Sequence, residues 1–240
     1  IVESARAAVP PAPADPRRRS LSAMVWLAHA PARGLALDRH NIFFSGNYPT
    51  EFADLARGRL PRDPTLYVCA QDSGDSLPEP GDAAPRRLQI LMNAPADGDR
   101  GGLSPKEIEQ CQTTMLSRLA RSGLWLDLAQ GMSALLTPAD FERRFPSTGG
   151  ALYGSPSHGS AASFRRPAAR TRIPGFYLAG GGCHPGPGVP MALLSGQVAA
   201  AALDQDLAST ARSRRAAMPG GMSTPSAATE IGRASCRERV

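Results

Sequence analysis

The 240 residues carry a formal net charge of +6, with 42% hydrophobic and 20% charged side chains, a balance that excludes wholesale disorder. Their longest apolar runs fall short of the roughly 20 residues that a membrane-spanning helix needs. With 24 glycines and 23 prolines the chain is no helical bundle, and four cysteines without a C-x-x-C pair indicate neither a zinc site nor a disulfide framework.

In chain order, residues 7–19 (AAVPPAPADPRRR) are too rich in proline for a helix or a central strand and read as a linker. From Ser20 the pattern changes to SLSAMVWLAHA, in which Leu21, Ala23, Val25 and Leu27 alternate as in a half-buried strand. NIFFSG (41–46) is a second apolar run. Thr50 offers an N-cap for a short helix over Glu51–Arg57 that ends at Gly58. TLYVCA (65–70) and RLQILMN (87–93) are further strands, and the turn-rich segment between them is a surface loop. Ser104-Pro-Lys-Glu107 is a capping box that opens a helix with Ile108, Met115, Leu116 and Leu119 on one face, stopping near Gly123. Thr137-Pro-Ala-Asp140 opens a shorter helix. The middle of the chain is therefore a mixed α/β layer built on a sheet.

The basic charge is concentrated at the end. Residues 211–240 hold six arginines against two glutamates, in a Ser/Gly/Pro-rich tail that no nucleic-acid motif accompanies. This is a solvated tail, not a nucleic-acid site, although basic loops suit an anionic membrane surface. The last eleven residues (230–240, EIGRASCRERV) resemble an adapter translated in frame and stand apart from the folded chain. Ile1 is preceded by no initiator methionine or signal pattern, as expected of a fragment.

The chemistry lies in RIPGFYLAGGGCHPGPGVPMALLSGQVAAAALDQDLA (172–208). Phe176–Ala179 reads as a short buried strand. A glycine-rich turn follows, then a helix beginning near Pro190, where proline is well tolerated. A strand, a glycine turn and a helix N-terminus bring backbone N–H groups and a positive dipole end against an anionic ligand. Glycine is required where a Cβ would hold the ligand away from the backbone. Ala192, Ser195, Gly196, Ala199, Ala200 and Leu203 keep small residues on adjoining turns, so the helix can approach a sheet or a ring system closely. Read by itself, the turn is equally a tight corner packed by small residues.

Other candidates are weaker. Cys183 and His184 are adjacent, so their side chains do not face each other, and no third group orients them as a nucleophile. Leu194-Ser195-Gly196 lacks the first glycine of a hydrolase elbow. His29, His40 and His158 are isolated, with no metal spacing between them. Cys69 and Cys111 read as small core residues, and the Arg143–Arg144 and Arg165–Arg166 pairs as solvated.

The run YLAGGGCHPGPGVPMALLSGQVAA resembles the C-terminal flavin-contacting motif of the carotenoid desaturase family, in which a strand, G-x-G-T-H-P-G-x-G-V-P and a helix with S-G-x-x-A-A follow one another. DPTLYVCAQD (63–72), LMNAPADGD (91–99), LTPADFERRFPSTGGALYG (136–154) and SHGSAASFRRPAARTRIPG (157–175) extend the resemblance over residues 20–215, most closely to its 1-hydroxycarotenoid 3,4-desaturase branch. The resemblance implies the C-terminal part of a two-domain, FAD-dependent amine oxidase/desaturase-like α/β fold whose Rossmann N-terminal half is missing. It divides the chain into a linker (1–19), a substrate domain (20–160), a return segment of the FAD domain (161–210) and a tail (211–240).

Carried over residue by residue, Gly180, Gly181 and Gly182 pass beside the ribityl–pyrophosphate of FAD. Gly188, Val189, Pro190 and Met191 present backbone to the isoalloxazine edge. Cys183 stands where the family usually has threonine, and Gly181 where related flavoproteins often have an acidic residue. The implied activity removes hydride and proton from a C–C bond of an acyclic, 1-hydroxylated carotenoid, with no metal. The implied place is the cytoplasmic face of a bacterial inner membrane, in peripheral contact with lipid. Phytoene desaturase and carotenoid isomerase share the motif. An inactive truncated chain or a lipid-binding module is the non-enzymatic alternative, since the dinucleotide half is absent.

Overall fold

The computed structural model describes residues 18–73, 85–129, 131–156 and 163–216. The proline-rich stretch up to Arg17, most of the 72–85 loop, His158 and residues 217–240 lie outside them. The elements are β1 (Ser22–Gly34), β2 (His40–Phe43), α1 (Tyr48–Ala56), β3 (Leu66–Ala70), β4 (Pro85–Ala94), α2 (Pro105–Arg121), β5 (Leu124–Leu126), β6 (Met132–Leu136), α3 (Pro138–Arg144) and α4 (Val189–Ala216).

The strands form one antiparallel sheet in the order β2-β3-β4-β1-β5, with β6 also on β1. Long β1 makes this possible. One edge pairs with β4 from Ser22↔Ala94 to Pro31↔Pro85. Its other edge takes β6 at Val25↔Leu136 and then β5 at Ala32↔Leu126. The sheet is thus mixed with helices as expected, but β5 and β6 are short strands that no local pattern announces.

The core corrects part of the phase expected for β1: Ala23 and Val25 are buried as expected, but the main cluster is built from the opposite parity. Met24, Trp26, Ala28 and Ala30 join Leu66, Val68, Ala70, Leu88, Ile90 and Met92 in the buried cluster, whereas Leu27 is exposed. Both parities of AMVWLA are apolar, so alternation cannot choose the inner face. The cover chooses it: Cys111, Met115 and Leu119 of α2 lie in the same cluster. Leu116 packs against this cluster, and Ile108 is half-buried.

The capping boxes behave as read. Ser104 and Glu107 bond reciprocally across the first turn of α2, as do Thr137 and Asp140 at α3, and Gly123 ends the α2 segment at φ +85°. Helix α1 starts earlier than expected. Its cap is Asn47, whose side chain accepts from the Thr50 N–H, with Pro49 in the first turn.

Arg19, the last residue of the stretch read as linker, is buried instead. Its guanidinium donates to the Ala96 carbonyl at 2.9 Å and pairs with Asp99 at 2.8 Å. Gly149 makes room for it, since a Cβ there would stand 1.9 Å from the guanidinium.

Candidate functional site

The glycine-rich segment forms a bend (180–188) at the head of the 28-residue helix α4. The strand expected over Phe176–Ala179 does not form. Only a single bridge, Arg170↔Tyr177, is present, and Phe176 is 45% exposed. Among the described residues no strand of the antiparallel sheet lies beside this run to extend the pairing.

Within the bend the glycines face different ways. A Cβ on Gly180, Gly182 or Gly188 would meet nothing within 4 Å, so these three turn towards open space. Gly180 at φ +120° and Gly188 at φ +104° also occupy backbone conformations that favour glycine. Gly181 turns inward, its Cβ position lying 3.6 Å from the Pro187 Cα. Val189, Pro190 and Met191 open α4, and Val189 is 75% exposed. The first intrahelical bond runs from the Ala192 N–H to the Gly188 carbonyl at 2.8 Å. Helical geometry therefore leaves the Val189 and Met191 N–H groups pointing out of the helix end, where its dipole is positive.

Three links hold the bend. The buried Ser195 hydroxyl accepts from the Gly180 N–H at 2.7 Å and donates to the Ala192 carbonyl at 2.7 Å. His184 N–H donates to the Pro167 carbonyl at 2.9 Å. The third link is Arg166, whose guanidinium donates to the carbonyls of Tyr153, Gly181 and Ser155 at 3.0, 3.2 and 3.0 Å. Arg166 was expected to be solvated but is 6% exposed. Nothing in its neighbourhood along the chain announces this, because two of its partners are carbonyls contributed by a distant loop.

Helix α4 packs by a narrower stripe than the small residues suggested. Ser195, Ala199 and Ala202 are buried, while Ala200 and Leu203 face solvent. Along this stripe Ser195 bonds Gly180 of the bend, and the Ala202 carbonyl accepts from Arg170 at 3.3 Å. One turn further on, Asp206 accepts from Arg170 at 3.1 Å and from the Tyr177 hydroxyl at 2.6 Å. The hydrogen bonds from Arg170, then from Tyr177, hold the Asp206 carboxyl below its ordinary range. A lowered carboxylate contributes stability above the ordinary carboxylate range and loses it as pH falls through the folded-state value. Protection of α4 amides against hydrogen exchange should therefore decline below the ordinary carboxylate range in the native chain. It should decline less in Asp206→Asn, and equal profiles would remove this pair from the docking of α4.

No family model matches the chain. It is similar to a hydroxyneurosporene desaturase of Rubrivivax gelatinosus, 52% identical over 215 residues that make up 89% of this chain and 41% of that protein. A hydroxyneurosporene desaturase of Cereibacter sphaeroides is 46% identical over 195 residues, 81% of this chain and 38% of that protein. A 1-hydroxycarotenoid 3,4-desaturase of a Flavobacterium species is 31% identical over 188 residues, 77% of this chain and 38% of that protein. The chain belongs to the carotenoid desaturase family. It spans about two fifths of the length of these relatives.

In this carotenoid desaturase chain the remaining chemical groups are quiet. Burial raises the Cys183 thiol, with a smaller opposing effect from the Arg166 charge, so no thiolate nucleophile stands beside His184. Burial pushes the Cys111 thiol up to about 12, as befits a core residue, and Cys69 is half-buried on β3. His40 bonds the Tyr67 hydroxyl at 2.7 Å, and His184 stacks on Phe164. Arg143 is exposed and ion-paired with Asp140. Among the described residues no group of three or more His, Cys, Asp or Glu is placed to hold a metal, and no helix is long and apolar enough to cross a membrane.

Proposed function

We propose that this chain forms one wall of an FAD site in a desaturase that introduces a double bond into an acyclic, 1-hydroxylated carotenoid. The observation that carries the reading is the open face of Gly180, Gly182 and Gly188 at the head of α4, a cradle that any Cβ would fill. The backbone fits the group. Gly180 and Gly182 would lie along the ribityl–pyrophosphate arm. The outward N–H groups of Val189 and Met191 would bond the electronegative edge of the ring system. FAD, when bound, supplies the acceptor for the hydride that leaves the polyene.

The chain's own residues bind, orient and exclude water. Ser195 holds the Gly180 N–H against the helix, so the arm meets a fixed surface. Val189 and Met191, exposed at the head of α4, would lay apolar side chains against a bound ring system. Cys183 remains a neutral thiol and Gly181 adds no carboxylate, so the wall carries little titratable chemistry. That suits a reaction whose developing charge is spread over a polyene and whose main need is an apolar, positioned site. The two-domain desaturase fold, the division at residues 160 and 210, and peripheral attachment to a bacterial inner membrane belong to the same reading.

A second reading, a lipid-binding module without redox activity, draws on Phe164, Val189, Leu193 and Leu207, which are strongly exposed apolar residues. The experiment expresses the full-length gene with a 1-hydroxylated acyclic carotenoid and follows the absorption spectrum. A red-shifted product together with bound flavin is the expected result. An unchanged spectrum with FAD bound removes the desaturase reading, and liposome binding without any flavin favours the module.

A further inference from the structure

We propose that Arg166 is a positioning residue that fixes the glycine bend to the sheet, and through it the wall for FAD; this rests on the reading given above. Three observations converge on this side chain. Its guanidinium bonds the Gly181 carbonyl, inside the bend, and the carbonyls of Tyr153 and Ser155, on the loop that follows α3. Its Nε and Cδ lie 3.4 and 3.6 Å from where a Gly186 Cβ would stand, so the arginine also lies under the far limb of the bend. The Tyr153–Ser155 loop is itself tied to the start of β1. The Ser20 N–H donates to the Gly154 carbonyl at 2.7 Å, and the Tyr153 N–H to the Ser20 hydroxyl at 2.9 Å. A continuous path of hydrogen bonds thus runs from the sheet through residues 153–155 and Arg166 to Gly181.

The geometry has a consequence for the ligand side. The guanidinium holds the Gly181 carbonyl inward, while the flanking Gly180 and Gly182 face open space. Gly154 faces Gly182, whose Cα would lie 3.5 Å from a Cβ built at Gly154, so the loop and the bend are neighbours. Without the guanidinium, three carbonyls at this joint lose a charged donor. The bend then keeps Ser195, Pro167 and the Gly154–Gly182 contact, but among the described residues no hydrogen bond to the 153–155 loop. Arg166 faces backbone carbonyls and acts on the wall through Gly181.

The test uses the full-length protein with Arg166→Met, Arg166→Lys and, as reference, the exposed Arg143→Met. Loss of charge-assisted hydrogen bonds at the joint predicts FAD affinity about 10- to 100-fold weaker in Arg166→Met. It also predicts faster amide exchange across Gly180–Cys183. Arg166→Lys, which keeps the charge and part of the donor set, should recover some of both, and Arg143→Met should change neither. Unaltered FAD affinity and unaltered exchange in the two Arg166 variants, whatever happens to Tm, overturn the proposal. Should Arg166→Met fail to fold, Arg166→Lys carries the comparison. Should the native protein bind no FAD, the flavin reading fails by itself, and exchange at Gly180–Cys183 still decides the role of Arg166.

Discussion

Replacing Gly188 by valine in the full-length protein is expected to abolish flavin retention. Gly188 holds φ +104° and its Cβ position meets no atom of the chain. A β-branched residue there costs about 1–3 kcal/mol in backbone strain, and its side chain would project into the space assigned to the ring system. Strain alone can be separated from occlusion. Gly58, at φ +70° after α1, likewise has nothing within 4 Å of its Cβ position, so Gly58→Val carries strain of the same kind, though smaller at this better-populated φ, far from the bend. Flavin absorbance of the purified proteins is the measurement. Loss in Gly188→Val with retention in Gly58→Val is the expected result, and equal retention in both would remove Gly188 from the cofactor wall.

Met115→Ala is expected to give the largest loss of stability. Met115 is fully buried on α2, in the cluster with Trp26, Ile90 and Met92 of the sheet. Truncating a buried methionine removes its transfer free energy and leaves a cavity, together about 2–5 kcal/mol. Against a typical total of roughly 5–15 kcal/mol, that is a large fraction. Urea unfolding of the full-length protein should show a lower midpoint with little change in slope. A loss below about 1 kcal/mol would mean that α2 does not seal the sheet as tightly as its burial indicates.

Local rules were enough for the starts of α2 and α3 and for the longer strands. Ser104 with Glu107, and Thr137 with Asp140, announce their helices because a capping box is completed within four residues. TLYVCA and RLQILMN announce β3 and β4 because their inner and outer faces differ in polarity or size. The glycine bend was legible for the same reason. A triple glycine before a helix rich in small residues is a local demand on the backbone, and it pointed to Gly180, Gly181, Gly182 and Gly188, of which Gly181 turns inward and the other three face open space.

What failed was whatever depended on a partner distant in sequence. The inner face of β1 is chosen by α2, which begins more than 80 residues after β1 does. Phe176–Ala179 has the composition of a buried strand, but among the described residues only Arg170 bridges to it. Arg166 and Arg170 look alike along the chain. Yet one is buried under the bend, bonding carbonyls, and the other lies outside against Asp206 on α4. A charged side chain carries no local mark of which carbonyls will meet it, because that meeting is set by how separate segments pack. The amino-acid order by itself determined α2, α3, the longer strands and the glycine turn, since those follow from hydrogen bonds and sterics a few residues apart. Only the tertiary structure decided which face is core and which arginine fastens the bend, since burial and long-range hydrogen bonds exist only once the segments are brought together.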